Sequence, residues 1–308
     1  MSKPISILGI FVADLTFRTD RMPRQGETVI GNSFKIGPGG KGSNQAVAAR
    51  RAGAEIMFIT KIGKDTFGDL AMKLYADEGI NSEFIWEIPK IATGAAGIMV
   101  NEQSGDNAII VVPGVADALV PDDLNDAESG IAECAFFMAS LEVPISVMQR
   151  GLEIAKRNNV PTILNPAPAV TLPDEAYVLC DYFTPNETEA SFLAGIPVET
   201  KEQACEAAQI FIDRGVKTAV ITLGENGVYV KNAEISKHVP AFNMGNKVLE
   251  TTGAGDAFNG GFAYALAEGM PITEALRYGS ATAAISVTRL GTAPAMPYKA
   301  EIQELLDS

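Results

Sequence analysis

The sequence predicts an α/β protein: a doubly wound, mainly parallel central sheet flanked by helices, with a small separate β-sheet over it as a lid. Two observations carry this reading. Short apolar runs rich in β-branched residues alternate with amphipathic helical stretches over most of the chain, which is the pattern of βαβ units. Two stretches, Thr28 to Ile36 and Ala95 to Val112, break the alternation because no helix separates their strand-like segments. No internal repeat, low-complexity tract or long linker interrupts the 308 residues. A single domain over 1–308 is therefore expected, with lid segments inserted at about 12–38 and 92–113.

The elements follow in order. Ile5 to Val12 is a short apolar run suited to a central buried strand. A helix is expected from Ser43 through the alanine-rich stretch to Gly53, whose freedom to adopt positive φ suits a helix end. Ile56 to Ile62 reads as a strand, and Thr66 to Glu78 as a helix with Phe67, Leu70, Ala71 and Leu74 on one face. Within the lid stretch 95–112, a turn is expected at 101–106. Cys134 to Ala139, Pro161 to Asn165, Asp181 to Thr184 and Lys217 to Leu223 are further short apolar runs. The helix that begins at Thr200 carries a capping box closed by Gln203.

Apolar residues make up 47% and charged residues 20%, the balance of a globular protein that folds without a partner. The formal charge of −14 repels polyanions, so neither nucleic acid nor an anionic membrane is an expected partner. Any phosphate must be held by local features. Three scattered cysteines without a CxxC pair fit a reducing compartment. With no secretory leader pattern and no apolar run of membrane-spanning length, the expected location is cytoplasmic. His238 is the only histidine, which excludes histidine triads and multi-histidine metal sites.

Two glycine clusters carry the chemistry. In Glu250-Thr-Thr-Gly-Ala-Gly-Asp256, Gly253, Ala254 and Gly255 precede a long apolar helix, so several backbone N–H groups can point outward as an anion hole. Asp256 in the first turn could take a proton from a hydroxyl attacking a phosphorus held there. The same residues also fit a plain loop with Asp256 as helix cap, and the pattern alone leaves both readings open. The second cluster, Gly37-Pro-Gly-Gly-Lys-Gly-Ser-Asn44, fits GxGxxG, but Pro38 interrupts it and it follows a lid strand rather than the first core strand. Lys41 is followed by Gly42, so it is not a Walker A loop either. Close approach of the Gly39-Gly40 backbone to a polar ligand, with Lys41 and Asn44 as donors, fits better.

Together the clusters resemble the two signatures of the ribokinase-like, or phosphofructokinase B-type, carbohydrate kinase family. Leu141-Glu142, Asn165-Pro-Ala-Pro-Ala169, Thr184-Pro-Asn-Glu-Thr-Glu189, Ile221-Thr-Leu-Gly-Glu-Asn-Gly227 and Val287-Thr-Arg-Leu-Gly291 extend the resemblance over essentially the whole chain. It implies an ATP- and Mg²⁺-dependent sugar kinase with its active site between sheet and lid, and a homodimer formed through the lid sheet. Asp256 would be the base and Gly253 to Gly255 the anion hole. Asp14, Gly40, Lys41, Asn44 and Glu142 match sugar-contacting positions. Asn186, Thr222, Gly224, Gly227, Gly255 and Ser280 match positions along ATP, and Glu189 one that holds magnesium through water. Glu250, Thr252, Ser286, Arg289 and Gly291 match a monovalent-cation site suited to K⁺, partly through main-chain atoms. Asn186 and Glu189 also read as plain helix-start residues, and Thr222 to Gly224 as a strand end.

D-Ribose, converted to ribose 5-phosphate, is the first expected substrate. Two positions depart from the family pattern. Val12 stands where an Asn is usual two residues before the sugar-binding Asp, which opens the site to a deoxy or substituted pentose, a hexose or a nucleoside. Glu250 stands where an Asp is usual, one methylene longer, at the cation site. The competing class, a nicotinamide-dependent oxidoreductase, lacks a glycine-rich turn after the first strand, where Gly9-Ile-Phe-Val-Ala-Asp14 stands.

Overall fold

The computed structural model describes residues 3–308. Its strands in chain order are β1 (Ile5–Leu8), β2 (Val12–Thr19), β3 (Ser33–Gly39), β4 (Ile56–Gly63), β5 (Asn81–Ile88), β6 (Thr93–Asn101), β7 (Asn107–Gly114), β8 (Phe136–Ser140), β9 (Thr162–Asn165), β10 (Tyr182–Phe183), β11 (Thr218–Thr222), β12 (Val228–Lys231) and β13 (Ser236–Val239). The α-helices are α1 (Lys41–Ala52), α2 (Thr66–Glu78), α3 (Pro121–Asp126), α4 (Glu128–Ala132), α5 (Ile145–Arg157), α6 (Asp174–Val178), α7 (Glu187–Ala194), α8 (Lys201–Asp213), α9 (Ala254–Ala267), α10 (Ile272–Ser286) and α11 (Lys299–Asp307).

Nine strands form the central sheet in the order β13-β12-β11-β10-β9-β8-β1-β4-β5. The seven strands from β11 to β5 run parallel, and β12 and β13 close one edge as an antiparallel hairpin. The central strands are buried on both faces because helices cover both. One face packs Leu8, Phe137, Leu152, Phe183 and Phe211 together. The other packs Ile7, Phe58, Tyr75, Phe262 and Tyr278. Local signals set most boundaries. Asp65 caps α2 by accepting the N–H groups of Phe67 and Gly68, left-handed Gly79 ends it, and Thr200 and Gln203 form the capping box of α8.

A second sheet, ordered β3-β2-β6-β7, stands apart from the first. Thr93 ties it to the central sheet by donating its N–H to Asp65 Oδ2 at 2.8 Å and accepting the Gly63 N–H on its hydroxyl at 2.8 Å. Thr292 Oγ1 donates to the Pro38 carbonyl at 2.9 Å. Residues two apart on a strand share a face. One face therefore carries Asp14, Thr16, Arg18 and Lys35 and looks across a groove of about 160 Å³ to Glu250, Thr252 and Gly291. The opposite face carries Leu15, Phe17, Phe34, Ile36, Ile110 and Val112, and all but Leu15 are exposed.

Three boundaries differ from the sequence reading. The apolar run 5–12 is two elements, because the chain leaves the central sheet after Leu8 and β2 begins the second sheet at Val12. The strand expected at 28–36 is Ser33–Gly39, paired along its whole length with β2. Helix α1 starts at Lys41 rather than Ser43, because Gly40 at φ 93° turns the chain there and a carboxylate from elsewhere in the fold satisfies the first N–H. Strands β5, β12 and β13 add edges that the sequence reading did not include.

Candidate active site

Helix α9 begins with a left-handed Gly253 at φ 82° and no side-chain cap. The Ala254 N–H donates to the Thr251 carbonyl at 3.1 Å, so of the three residues expected as an anion hole this one already has a partner. At Gly255 a Cβ would meet no atom within 4 Å, so that residue faces open space. The space is a cavity of about 120 Å³ lined by Lys41, Asn186, Glu189, Gly253, Gly255 and Asp256, among others.

Asp256 is 6% exposed and does not cap its own helix. Its Oδ2 accepts from Asn44 Nδ2 at 2.9 Å and its Oδ1 from Gln45 Nε2 at 3.2 Å, both donors on α1. The loop-and-cap alternative is thus replaced by a carboxylate held between two helices. Burial pushes this carboxyl above its ordinary range, while the Lys41 ammonium and the two amides pull it back toward ionisation. Lys41 is in turn raised, most by Asp256.

The sugar-matching residues gather around the start of α1. Glu142, just past β8, accepts the Lys41 N–H on Oε2 at 2.7 Å and so caps a helix that has no side-chain cap of its own. Burial lifts its carboxyl to about 7 against the opposing pull of Lys41. The Asp14 carboxylate lies against Gly39, where a Cβ would come within 2.3 Å of it. Burial, then Asp256 and Glu250, raise it to about 6. Val12 shares the Asp14 face of β2, is 5% exposed and packs beside Gly94 on β6.

Asn186 and Glu189 are helix-start residues and cavity residues at once. Asn186 Oδ1 accepts the Glu189 N–H and Glu189 Oε2 accepts the Asn186 N–H, both at 2.9 Å, which makes the capping box of α7. Thr222 lines the same cavity and bridges to Asn186. Gly224 and Gly227 shape the turn after β11, closed by the Leu223 N–H on the Gly227 carbonyl at 2.7 Å. Ser280 is buried on α10 and does not line the cavity.

Of the five residues matched to the cation site, Glu250, Thr252 and Gly291 share the groove, with the Gly291 N–H donating to Glu250 Oε2 at 2.9 Å. The other two side chains are engaged elsewhere. The Ser286 hydroxyl donates to the Ala283 carbonyl within its helix, and Arg289 pairs with Glu301 of α11.

The sequence reading gave no role to Gln45, Asn165, Thr184 or Asn259. All four are buried polar residues connected to Asp256 or Gly255 by hydrogen bonds. The available signal was an amide in an otherwise apolar helix: Gln45 directly before Ala46-Val-Ala-Ala49, and Asn259 inside α9.

Known proteins match this arrangement along its full length. The chain is 40% identical over 307 residues to a ribokinase of Haemophilus influenzae, covering 100% of this chain and 99% of that one. It is 36% identical over 303 residues to a deoxyribokinase of Salmonella typhi, covering 98% of each. The solved structure of Arabidopsis thaliana ribokinase complexed with ribose and ATP superposes with a TM-score of 0.95 at 30% identity, covering 100% of both chains. The model of the pfkB family of carbohydrate kinases matches residues 2–299, and with glycine clusters, fold and relatives all in agreement, the chain belongs to that family.

Proposed function

We propose that this carbohydrate kinase transfers the γ-phosphoryl group of ATP to a pentose hydroxyl, with Asp256 as general base and D-ribose, giving ribose 5-phosphate, as the leading substrate. The observation that carries the reading is a buried, amide-held carboxylate at the start of α9, beside an open Gly255 and the Lys41 ammonium. In the step, the substrate O–H bond breaks toward Asp256, its oxygen bonds to the γ-phosphorus, and the bond to the ADP oxygen breaks. The Gly255 turn and Lys41 offset the charge on the transferring group. On the sugar side, Asn44 Oδ1 is buried without a partner among the described residues, ready to accept a sugar hydroxyl. Asp14, on the groove it shares with Glu250, and Glu142, at the start of α1, supply further acceptors.

Magnesium would neutralise the phosphates and hold them in line. Glu189 and Asn186 suit it as neighbours of a hydrated ion, and among the described residues no cluster of three metal-ligating side chains offers a protein cage. K⁺ would sit at Glu250, Thr252 and Gly291, whose oxygens share the groove. The second sheet acts as a lid, since it roofs the Asp14 groove and a kinase must keep water from the γ-phosphate. Two copies pair through the exposed apolar face of that lid, where Phe17 and Phe34 stack at 4.7 Å. The three cysteines are free, which suits the cytoplasm; among the described residues no helix is long and apolar enough to cross a membrane.

A second reading, 2-deoxyribose as substrate, is favoured by Val12, which offers no hydrogen bond beside Asp14. Magnesium ATP with a panel of pentoses, hexoses and nucleosides, read by ADP release, tests both. Asp256→Asn should lower turnover at least a hundredfold while ATP still binds, because removing a general base costs about that much. An Asp256→Asn enzyme with more than about a tenth of wild-type turnover removes the base assignment.

A further inference from the structure

The two oxygens of Asp256 have different partners. Oδ2 meets Asn44, whose own Oδ1 is buried without a partner among the described residues. Oδ1 meets Gln45, which is fully buried; neither of these two amide residues lines the cavity. Gln45 Nε2 also donates to Asn165 Oδ1 at 3.1 Å, and Asn165 Nδ2 donates to the Thr184 carbonyl at 2.9 Å. A backbone carbonyl can only accept, so Asn165 must turn its nitrogen toward Thr184 and its oxygen toward Gln45. Gln45 must then present its NH₂ group, and the second proton of that group points at Asp256. Every amide orientation in the chain of bonds follows from one carbonyl.

The arrangement has a cost. Gln45 Oε1 is buried with no partner among the described residues. An unpaired buried carbonyl destabilises a fold, so Gln45 is not explained by stability alone. Thr184 also serves the other half of the site. Its hydroxyl donates to Asn259 Oδ1 at 2.6 Å, and Asn259 Nδ2 donates to the Gly255 carbonyl at 2.8 Å. One residue at the end of β10 thereby anchors both the carboxylate and the glycine turn.

We propose that Gln45 is a positioning residue for phosphoryl transfer: it holds Oδ1 of Asp256 while Asn44 holds Oδ2, which fixes the plane of the carboxylate that takes the substrate proton, and Asn165 and Thr184 fix Gln45 in turn. This rests on Asp256 being the base. Gln45→Met keeps the length of the side chain and cannot donate. Its kcat should fall about tenfold or more, the worth of one hydrogen bond to an ionised group, while KM for ATP and sugar stays within about twofold. In an Asp256→Asn background the same substitution should cost nothing further, because the group it positions has lost its function. Asn165→Ala removes the support of Gln45 without removing a hydrogen bond to Asp256; because Asn165 itself lines the cavity, the result that supports the role of Gln45 is a kcat-only loss that vanishes on the Asp256→Asn background, which keeps the test open if Gln45→Met does not fold. A wild-type kcat in both variants, a loss confined to KM, or a full additional loss on the Asp256→Asn background would each overturn the role of Gln45 while leaving the base assignment standing. Near-normal turnover in Asp256→Asn alone would overturn both.

Discussion

Val12→Asn tests the proposed link between substrate choice and core packing. Val12 is 5% exposed, shares the Asp14 face of β2 and packs beside Gly94. Removing a buried valine side chain costs about 1.5–3 kcal/mol. An amide left there without a partner adds about 1–3 kcal/mol. The empty variant should therefore unfold several degrees below wild type. Ribose can supply the missing partner through a hydroxyl, and that bond is worth about 1 kcal/mol, or roughly fivefold in affinity. A sugar with hydrogen at that position supplies nothing. Thermal unfolding with and without ribose and 2-deoxyribose, together with kcat/KM for each sugar by ADP release, measures both effects. The expected result is a lower melting temperature, partly restored by ribose, and a ribose-to-deoxyribose preference raised by roughly fivefold. Equal changes in kcat/KM for the two sugars would refute the reasoning, since Val12 would then face neither the hydroxyl that distinguishes them nor its neighbours.

Three further outcomes follow from charge and surface. Burial raises Asp14 to about 6 and Glu142 to about 7, and both accept sugar hydroxyls more strongly when ionised, so KM for the sugar should climb as pH falls from about 7 toward 5. For stability the sign is opposite. Between its ordinary 4.5 and about 7 the folded state holds the Glu142 proton more tightly than the unfolded chain, so this group's contribution falls as pH rises through that window. Glu142→Gln should flatten that slope in denaturant midpoints taken from pH 4.5 to 7.5, and an unchanged slope would show that Glu142 is not its source. Ile110→Lys, on the exposed apolar face of the second sheet, should abolish the dimer proposed above in sedimentation; an unaltered association state would remove this face as the interface.

The alternation of strands and helices was legible because each period is written locally, and α2 is bounded at the residues its capping signals mark. The glycine clusters were legible for the same reason, since they lie in contiguous sequence. What was not legible depends on distant partners. Whether Asp256 caps its helix or faces α1 is decided by Asn44 and Gln45, more than 200 positions away. The start of α1 is moved two residues by Glu142, 101 positions away. Strand β5, Asn-Ser-Glu-Phe-Ile-Trp-Glu-Ile, forms a sheet edge through pairing with β4 rather than through an apolar run of its own.

The capping of α1 by Glu142 bears on how this pocket can be redesigned. A library that randomises Glu142 to broaden sugar acceptance also strips the first N–H of the helix that carries Asn44 and Gln45. Each member without an acceptor there gives up about 0.5–2 kcal/mol of stability before any sugar is presented to it. Val12 takes part in no cap and no ion pair, so its substitutions cost packing and leave that cap in place. Altering specificity from the β2 side leaves the α1 cap intact and turns the search for a folded protein into one of repacking around a single buried side chain.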